Sequence, residues 1–425
     1  MSIFKNNSID NHFDAPNTGN PDFPGFVEAY LSEEDAKRVA KLLGKKDEGN
    51  PSTPDIDLES AMSDEEKEIL EAVEEERLDP LKRIISWAKK YNLGNENWVK
   101  ENFEFNDDGT VICNTSLELN SMTKPDFPKS IKYVAGSLFL NGLTSAVGLN
   151  LPKKIEWNLS LNGLTSAEDL ELPINIGNNL SLNGLISAKS LNLPDNIGCL
   201  SLNSLTSTAG LNLPREIEAL SLNGLTSAVD FKFPDKITTL SLDGLTSTAG
   251  LNLPREIGAL SLNGLTSAVD FKFPDKITTL SLDGLTSTVG FKFPDKITTL
   301  SLNGLTSIEG LELPKEVETL SLDGFTSAKD LELPETINYL SLNGLTSIEG
   351  LKLPEVIKEL SLNGLTSAEG LELPETIKHL FLNGLTSAKG LDLTYIEAGG
   401  YIHLEKVPNN EKQELHKKYP NLRIK

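Results

Sequence analysis

The eight residues SLNGLTSA stand at 221–228 and recur unchanged at 160–167, 261–268 and 361–368. Close variants begin at every twentieth residue from Ser181 to Phe381. Two earlier units, 139–159 and 160–180, have 21 residues, and a worn copy occupies 117–134, where LNSMT answers LNGLT. That makes 13 clear units and one degenerate start. A fixed period of this length restricts a chain to architectures in which one small unit stacks on copies of itself.

With the first Ser of each unit as position 1, the apolar positions are 2, 5, 8, 11, 13, 17 and 20. No helical period fits this spacing. LxL occurs twice per unit, at 20/2 and 11/13, and short alternation of that kind marks strands. Asn-Gly at 3–4 and Pro at 14 mark corners, because Gly accepts positive φ and Pro fixes φ. Each unit is therefore expected to form one coil with one or two short strands. Parallel coils about 4.8 Å apart would build a rod of roughly 60 Å with one continuous Leu/Ile core.

The polar positions carry a register pattern. Position 3 alternates through Asn223, Asp243, Asn263, Asp283, Asn303, Asp323 and Asn343. Positions 15–16 alternate as Arg215-Glu216, Asp235-Lys236, Arg255-Glu256 and Asp275-Lys276. Stacking would keep like charges two coils apart and set unlike charges side by side, each exposed pair contributing about 0.2–1 kcal/mol. Part of the alternation follows from duplication, since 241–280 copy 201–240 with changes only at 203, 204 and 218. A catalytic pocket rarely survives such copying, whereas a modular wall gains length from it.

The repeat resembles the leucine-rich-repeat superfamily. IxxLSLNGL follows that family's LxxLxLxx opening, LPxxI is similar to the short repeats of bacterial effectors, and LTSAxGLxLPxxIxxLSL looks like the receptor L-domain variant. The resemblance spans about residues 117–405. It implies a stack of parallel β coils whose outward strand residues, at positions 19, 1 and 3, meet a protein ligand. One position departs: Leu stands at position 5 where the family carries Asn. That difference implies a straighter, L-domain-like coil without the family's Asn ladder.

The expected fold is a mainly β repeat solenoid with a small α-helical N-terminal cap and a C-terminal helix/strand cap. Four segments are expected: a disordered polar tail at 1–25, an acidic helical region at 26–105, the solenoid of about 14 coils at 106–405, and the cap at 406–425. Within the second, a short helix begins at Ser32 and ends near Gly44, and 49–57 reads as a linker. Ser63-Asp64-Glu65-Glu66 is a capping box opening a helix to about residue 78. Asp79-Pro80 supplies N-cap and first-turn Pro for a third helix running towards Gly94, and Trp98 lies in a fourth. Residues 106–109 form a turn into an expected first strand at 110–113. The C-terminal cap is expected as a helix over 410–418 and a strand over 422–424. The acidic run at 64–76 is the solvated face of its helix, with Ile69, Leu70 and Val73 on the buried side.

Composition narrows the partners. The chain carries 62 acidic against 39 basic residues, a formal net charge of -23. Phosphate polyanions and anionic membranes are repelled by such a field, so neither nucleic acid nor membrane is an expected partner. No apolar run approaches the ~18–20 residues that cross a bilayer, and the first residues lack the basic start and apolar run of a signal peptide. Two cysteines, Cys113 and Cys199, fall several coils apart, which suits ordinary thiols in a reducing compartment. The expectation is a cytoplasmic protein, with export without a cleaved signal as the alternative.

Chemistry is thinly supplied. The four histidines, His12, His379, His403 and His416, have no Cys or carboxylate at metal-ligand spacing, and HExxH, CxxC and P-loop motifs are absent. Ser and Thr are plentiful, but a nucleophile needs an adjacent base held by a third group. Alternate Asp residues of the position-3 column would stand about 9.6 Å apart, far beyond shared ligation of one cation. No enzyme activity, cofactor or metal is expected.

What remains is surface. In the central coils the outward residues are monotonous, as in Thr239, Ser241 and Asp243 or Thr279, Ser281 and Asp283, whereas binding hot spots favour Trp, Tyr and Arg. Towards the C-terminal end position 19 reads Tyr339, Glu359 and His379, and position 1 becomes Phe381. Stacking places these four in one candidate protein-binding patch. The plainer alternative is that Phe381 packs under the terminal helix, and Phe139 makes the same replacement in the first clear unit. Trp157 stands alone near that other end. The leading expectation is a non-enzymatic scaffold that binds a protein partner or acts as a spacer, its oligomeric state left open. The alternatives are a bacterial effector-type repeat protein, with too few residues after the repeats for a ubiquitin-ligase domain, and an ice- or crystal-surface-binding solenoid built on Thr/Ser columns.

Overall fold

In the computed structural model, which describes residues 79–268, 271–274 and 276–425, each 20-residue unit lays down one strand. The chain divides into two units, Met1–Asp79 and Pro80–Lys425, and apart from Asp79 the described residues all belong to the second. The tail expected at 1–25 and the helices expected from Ser32 and Ser63 lie outside the described residues.

The strands Glu216–Ser221, Lys236–Ser241 and Glu256–Ser261 are typical, running from position 16 to position 1 of the next unit. They pair in parallel and in register: Ile217 with Ile237 and Ile237 with Ile257, Leu220 with Leu240 and Leu240 with Leu260. Ile217 and Leu220 are both buried although three residues apart, so the strand rotates its inward face between them. In the 21-residue units the corresponding residues are four apart, as in Ile155 and Leu159. There the span breaks into two short strands, Lys154–Ile155 and Leu159–Ser160. One residue more or less thus decides whether a coil contributes to one sheet or two. The result is a five-stranded sheet ending at Asn175–Ile176 and a 16-stranded sheet that runs from Leu117–Glu118 to Arg423–Ile424.

The second LxL of the unit makes no strand. Residues such as Phe231 and Leu251 are buried while their backbone stays irregular, and Pro at position 14 has no N–H to give a ladder. The conformational role expected of the glycine at position 4 also lies elsewhere. The Leu225 N–H closes a turn on the Leu222 carbonyl at 3.1 Å without positive φ at Gly224. That glycine is required by close approach: a Cβ on Gly244 would collide with the backbone carbonyl oxygens of Asn223 and Leu225 in the preceding coil. Positive φ falls instead at position 10, in Gly210 (82°), Asp230 (57°), Gly250 (67°) and Asp330 (64°). The Phe231 N–H bonds the Ala228 carbonyl at 3.3 Å across this turn, a geometry needing a left-handed residue before its last position.

A side-chain ladder does run along the stack, at position 3 and not at position 5, which Leu fills. Asn223 Oδ1 accepts from the Asp243 N–H at 2.9 Å and from Ser241 Oγ at 2.7 Å in the next coil. Asp243 Oδ1 accepts in the same way from Ser261 Oγ at 2.5 Å and the Asn263 N–H at 2.9 Å. Either Asn or Asp supplies that oxygen, which is why the column tolerates both. Opposite charges also meet across coils as the sequence implies, in the ion pairs Lys276–Glu256 and Lys296–Glu316, the latter at 2.9 Å.

One continuous core runs from Ile84 to Leu422, built from the Ile and Leu columns at positions 17, 20, 2 and 5. At its start, helices α1 (Pro80–Lys90) and α2 (Glu96–Asn102) lead into a strand, Phe103–Phe105. This strand, not the segment at 110–113, is the first among the described residues; it pairs antiparallel with Val111–Cys113 and closes the edge of the smaller sheet. Trp87 of α1 donates its indole N–H to the Asp126 carbonyl at 2.9 Å and meets Phe127 edge-on at 5.7 Å. Tyr91 donates to the Asp126 carboxylate at 2.7 Å. At the far end two strands without the repeat motif, Tyr401–His403 and Arg423–Ile424, continue the parallel ladder around helix α3 (Asn409–Lys418). They bring the stack to about 16 coils instead of 14. No helix among the described residues is long and apolar enough to cross a membrane.

Candidate functional site

The polar side chains of the motif are mostly occupied in construction. Ser at position 1 donates into the position-3 ladder, and the Asn amide returns a bond to its own coil's Ser, as from Asn263 Nδ2 to Ser261 Oγ at 2.9 Å. Ser at position 7 accepts from the N–H two residues on, as at Ser247 and Ala249 (3.2 Å) or Ser347 and Glu349 (3.2 Å). Such hydroxyls hold turns together. Thr at position 6 stays exposed in every 20-residue unit from 201 onwards. Among the described residues no three His, Cys, Asp or Glu side chains gather as a metal site would require.

The thiols are shielded. Cys113 is fully buried, and burial pushes its thiol up to about 11. Cys199 is half-buried, and burial together with Glu218 also raises it. A nucleophilic thiol requires the opposite shift.

The four residues singled out by sequence come together on the outer face of the large sheet. Tyr339 pairs with Glu359 on the adjacent strand, and Glu359 pairs with His379, so the three form one column. Phe381 lies two residues along the strand His379–Phe381 and faces Ser361 on one side. All four are half-buried, while Ser341 and Ser361 between them are buried.

The structure extends this patch beyond what sequence reasoning named. His379 stacks on Tyr401, ring centroids 5.0 Å apart and planes 8° from parallel. Phe381 stacks on His403 at 4.5 Å and 15°. Phe381 therefore has a ring partner on the next strand, while α3 makes its side-chain bonds at another corner: Glu411 accepts from Ser387 Oγ at 2.8 Å and the Ala388 N–H at 2.7 Å. Phe139, by contrast, sits between Glu118 and Ser160. Beyond Tyr401, the Arg423 guanidinium covers the ring at 4.8 Å and donates to the tyrosine hydroxyl, and the Lys425 ammonium stands 5.6 Å from the same ring. Burial, with Lys425 and His379 nearby, holds His403 below the ordinary histidine range. Trp157 is exposed at the opposite end, apart from this group.

A signal for the missed residues was present. YIHLEKV at 401–407 follows the frame of HLFLNGL at 379–385, so Tyr401 and His403 occupy positions 19 and 1 after an insertion of two residues. Loss of Asn-Gly conceals the match. No protein-family model and no curated protein matches the sequence.

Proposed function

We propose that this chain is a non-enzymatic, leucine-rich-repeat-like scaffold that binds a protein partner through the outer sheet face at its C-terminal end. One observation carries the reading: along a column filled by small residues in the central coils, Tyr339, Glu359 and His379 stand on successive strands with Phe381 beside them. Aromatic and charged side chains fixed on a rigid sheet lose little freedom on binding, which suits recognition. The family reading is supported by the LxL strand frame and the polar ladder, although the ladder stands at position 3. Two free thiols suit a reducing compartment.

The effector-type reading, in which a thiol would carry a transferred group, is disfavoured by burial of Cys113 and the upward shift of its titration. To test the scaffold, Tyr339→Thr, Glu359→Thr and Phe381→Ser are combined, each restoring the residue of the central coils. A partner recovered by the wild-type chain should lose at least about tenfold in affinity. Undiminished capture would eliminate the patch and place the binding on another face.

A further inference from the structure

Three adjacent strands at this end present two rows of unlike side chains. One row is His379, Tyr401 and Arg423; the other is Phe381, His403 and, at the end of the last strand, Lys425. The rings stack on one another along the solenoid axis, so their faces satisfy each other, and all four stay half-buried with their edges left for other contacts. Arg423 and Lys425 are exposed, and no carboxylate among the described residues pairs with either. Lys378 nearby is, in contrast, paired with Glu397 at 3.4 Å.

Charge sets this end apart. Residues 401–425 hold six basic residues (Lys406, Lys412, Lys417, Lys418, Arg423, Lys425) against three acidic ones (Glu405, Glu411, Glu414), a formal +3. The remaining 400 residues then carry -26, since the whole chain carries -23. A positive patch on a strongly negative protein selects anionic partners locally and repels long polyanions elsewhere. The patch is also short. Its outer strands are about 10 Å apart, enough for roughly three residues of extended chain at about 3.3 Å each, and Glu359 bounds it on the acidic side.

We infer that the surface formed by His379, Tyr401, Arg423, Phe381, His403 and Lys425 takes a short acidic segment of a partner polypeptide. The inference rests on the protein-binding reading above and names the partner's chemistry. Carboxylates pair with Arg423, Lys425 and the histidine N–H groups, while the ring edges receive the methylene stems and any aromatic side chain between them. A nucleic-acid strand suits the surface less well, because its phosphates would run onto Glu359 and the acidic coils beyond.

The test titrates the full chain, by calorimetry, with three short peptides that share a Tyr/Ser frame and carry Glu, Gln or Lys at alternate residues. A thymidine oligonucleotide serves as a fourth probe. The Glu peptide should bind and the Lys peptide should not, with affinity falling as salt rises from about 50 to about 300 mM. Arg423→Glu with Lys425→Glu should weaken the Glu peptide at least about tenfold, whereas Arg423→Lys with Lys425→Arg should retain most of the affinity. His379→Thr with Phe381→Ser supplies a second variant made of residues that these strand positions already carry elsewhere. Circular dichroism and the thermal midpoint establish that each variant is folded. The inference is overturned by a Glu peptide that fails to bind, by Gln or Lys peptides that bind as well, by indifference to charge reversal, or by tighter binding of the oligonucleotide. Failure of the patch reading shows separately, as a recovered partner insensitive to Tyr339, Glu359 and Phe381.

Discussion

Gly244 and Ser204 occupy the same place in their units and face opposite demands. Gly244 has the carbonyl oxygens of Asn223 and Leu225 where a Cβ would go, so the coil spacing itself excludes a side chain. Ser204 is exposed where the equivalent Gly224 and Gly244 are half-buried, so its side chain is carried in solvent. Gly244→Ala should therefore lower stability by about 1–3 kcal/mol through local overpacking, while Ser204→Gly should cost nothing. Thermal and urea midpoints of the two variants check this, and equal losses would mean that position 4 is chosen for turn conformation instead. The same scale explains the polar alternation: Asn and Asp each present one oxygen to the next coil's N–H and Ser hydroxyl, so the ladder constrains geometry more than charge.

At the scale of elements, α3 is tied to the last repeat by a carboxylate. Asp392 accepts from Thr394 Oγ1 at 2.5 Å, from the Thr394 N–H at 3.0 Å and from Tyr419 Oη at 2.8 Å. These bonds hold the carboxyl down to about 2, against about 3.9 in an unfolded chain. A depressed carboxylate contributes stability that is fully present above the unfolded value and is lost as pH falls through the folded one. The tether should therefore weaken between about pH 4 and about pH 2. Ring signals of Tyr419 followed by NMR should shift over that window in the wild type and show no such step in Asp392→Asn; a step persisting in the variant would assign it to another group. The helices around this scaffold were legible because their signals are local: Asp79-Pro80, the Trp98 segment and the polar run before Pro420 each mark their own ends. The strand Phe103–Phe105 was not, since three residues become a strand only by pairing with Val111–Cys113. Likewise LxL at 11/13 reads as a strand until Pro at position 14 and the left-handed residue at position 10 are placed together. Tyr339, Glu359, His379 and Phe381 could be grouped because they stand inside the strict period. Tyr401, His403, Arg423 and Lys425 join the surface through strands whose period has slipped.

For the whole molecule the governing quantity is register between neighbouring coils, because each coil touches only the next and stability adds along the stack. Residues 241–280 repeat 201–240 apart from Asn203/Asp243, Ser204/Gly244 and Glu218/Gly258. Deleting 201–240 consequently joins Leu200 to Ser241 and recreates a junction nearly the same as the one removed, Leu200 to Ser201. Every Ile, Leu and ladder oxygen still meets a counterpart. The shortened chain should fold with β content per residue unchanged and should bind its partner as before, since even the nearest member of the C-terminal surface, Tyr339 on the strand Thr336–Ser341, lies five coils beyond the unit at 241. Deleting 201–219 instead removes one residue fewer than a coil. The result is a coil of 21 residues, in which Leu220 keeps the inward column only by turning Leu200 to the outward place that Asn179 and Thr239 occupy on the strands beside it; otherwise the next strand shifts by one place and inward side chains turn outward. That variant should show a lower thermal midpoint and a broadened transition in circular dichroism. If the 19-residue deletion were tolerated as well as the 40-residue one, the central coils would absorb an extra residue as the units at 139–159 and 160–180 do. If the 40-residue deletion abolished partner binding while the fold survived, the recognition surface would extend back into the central coils.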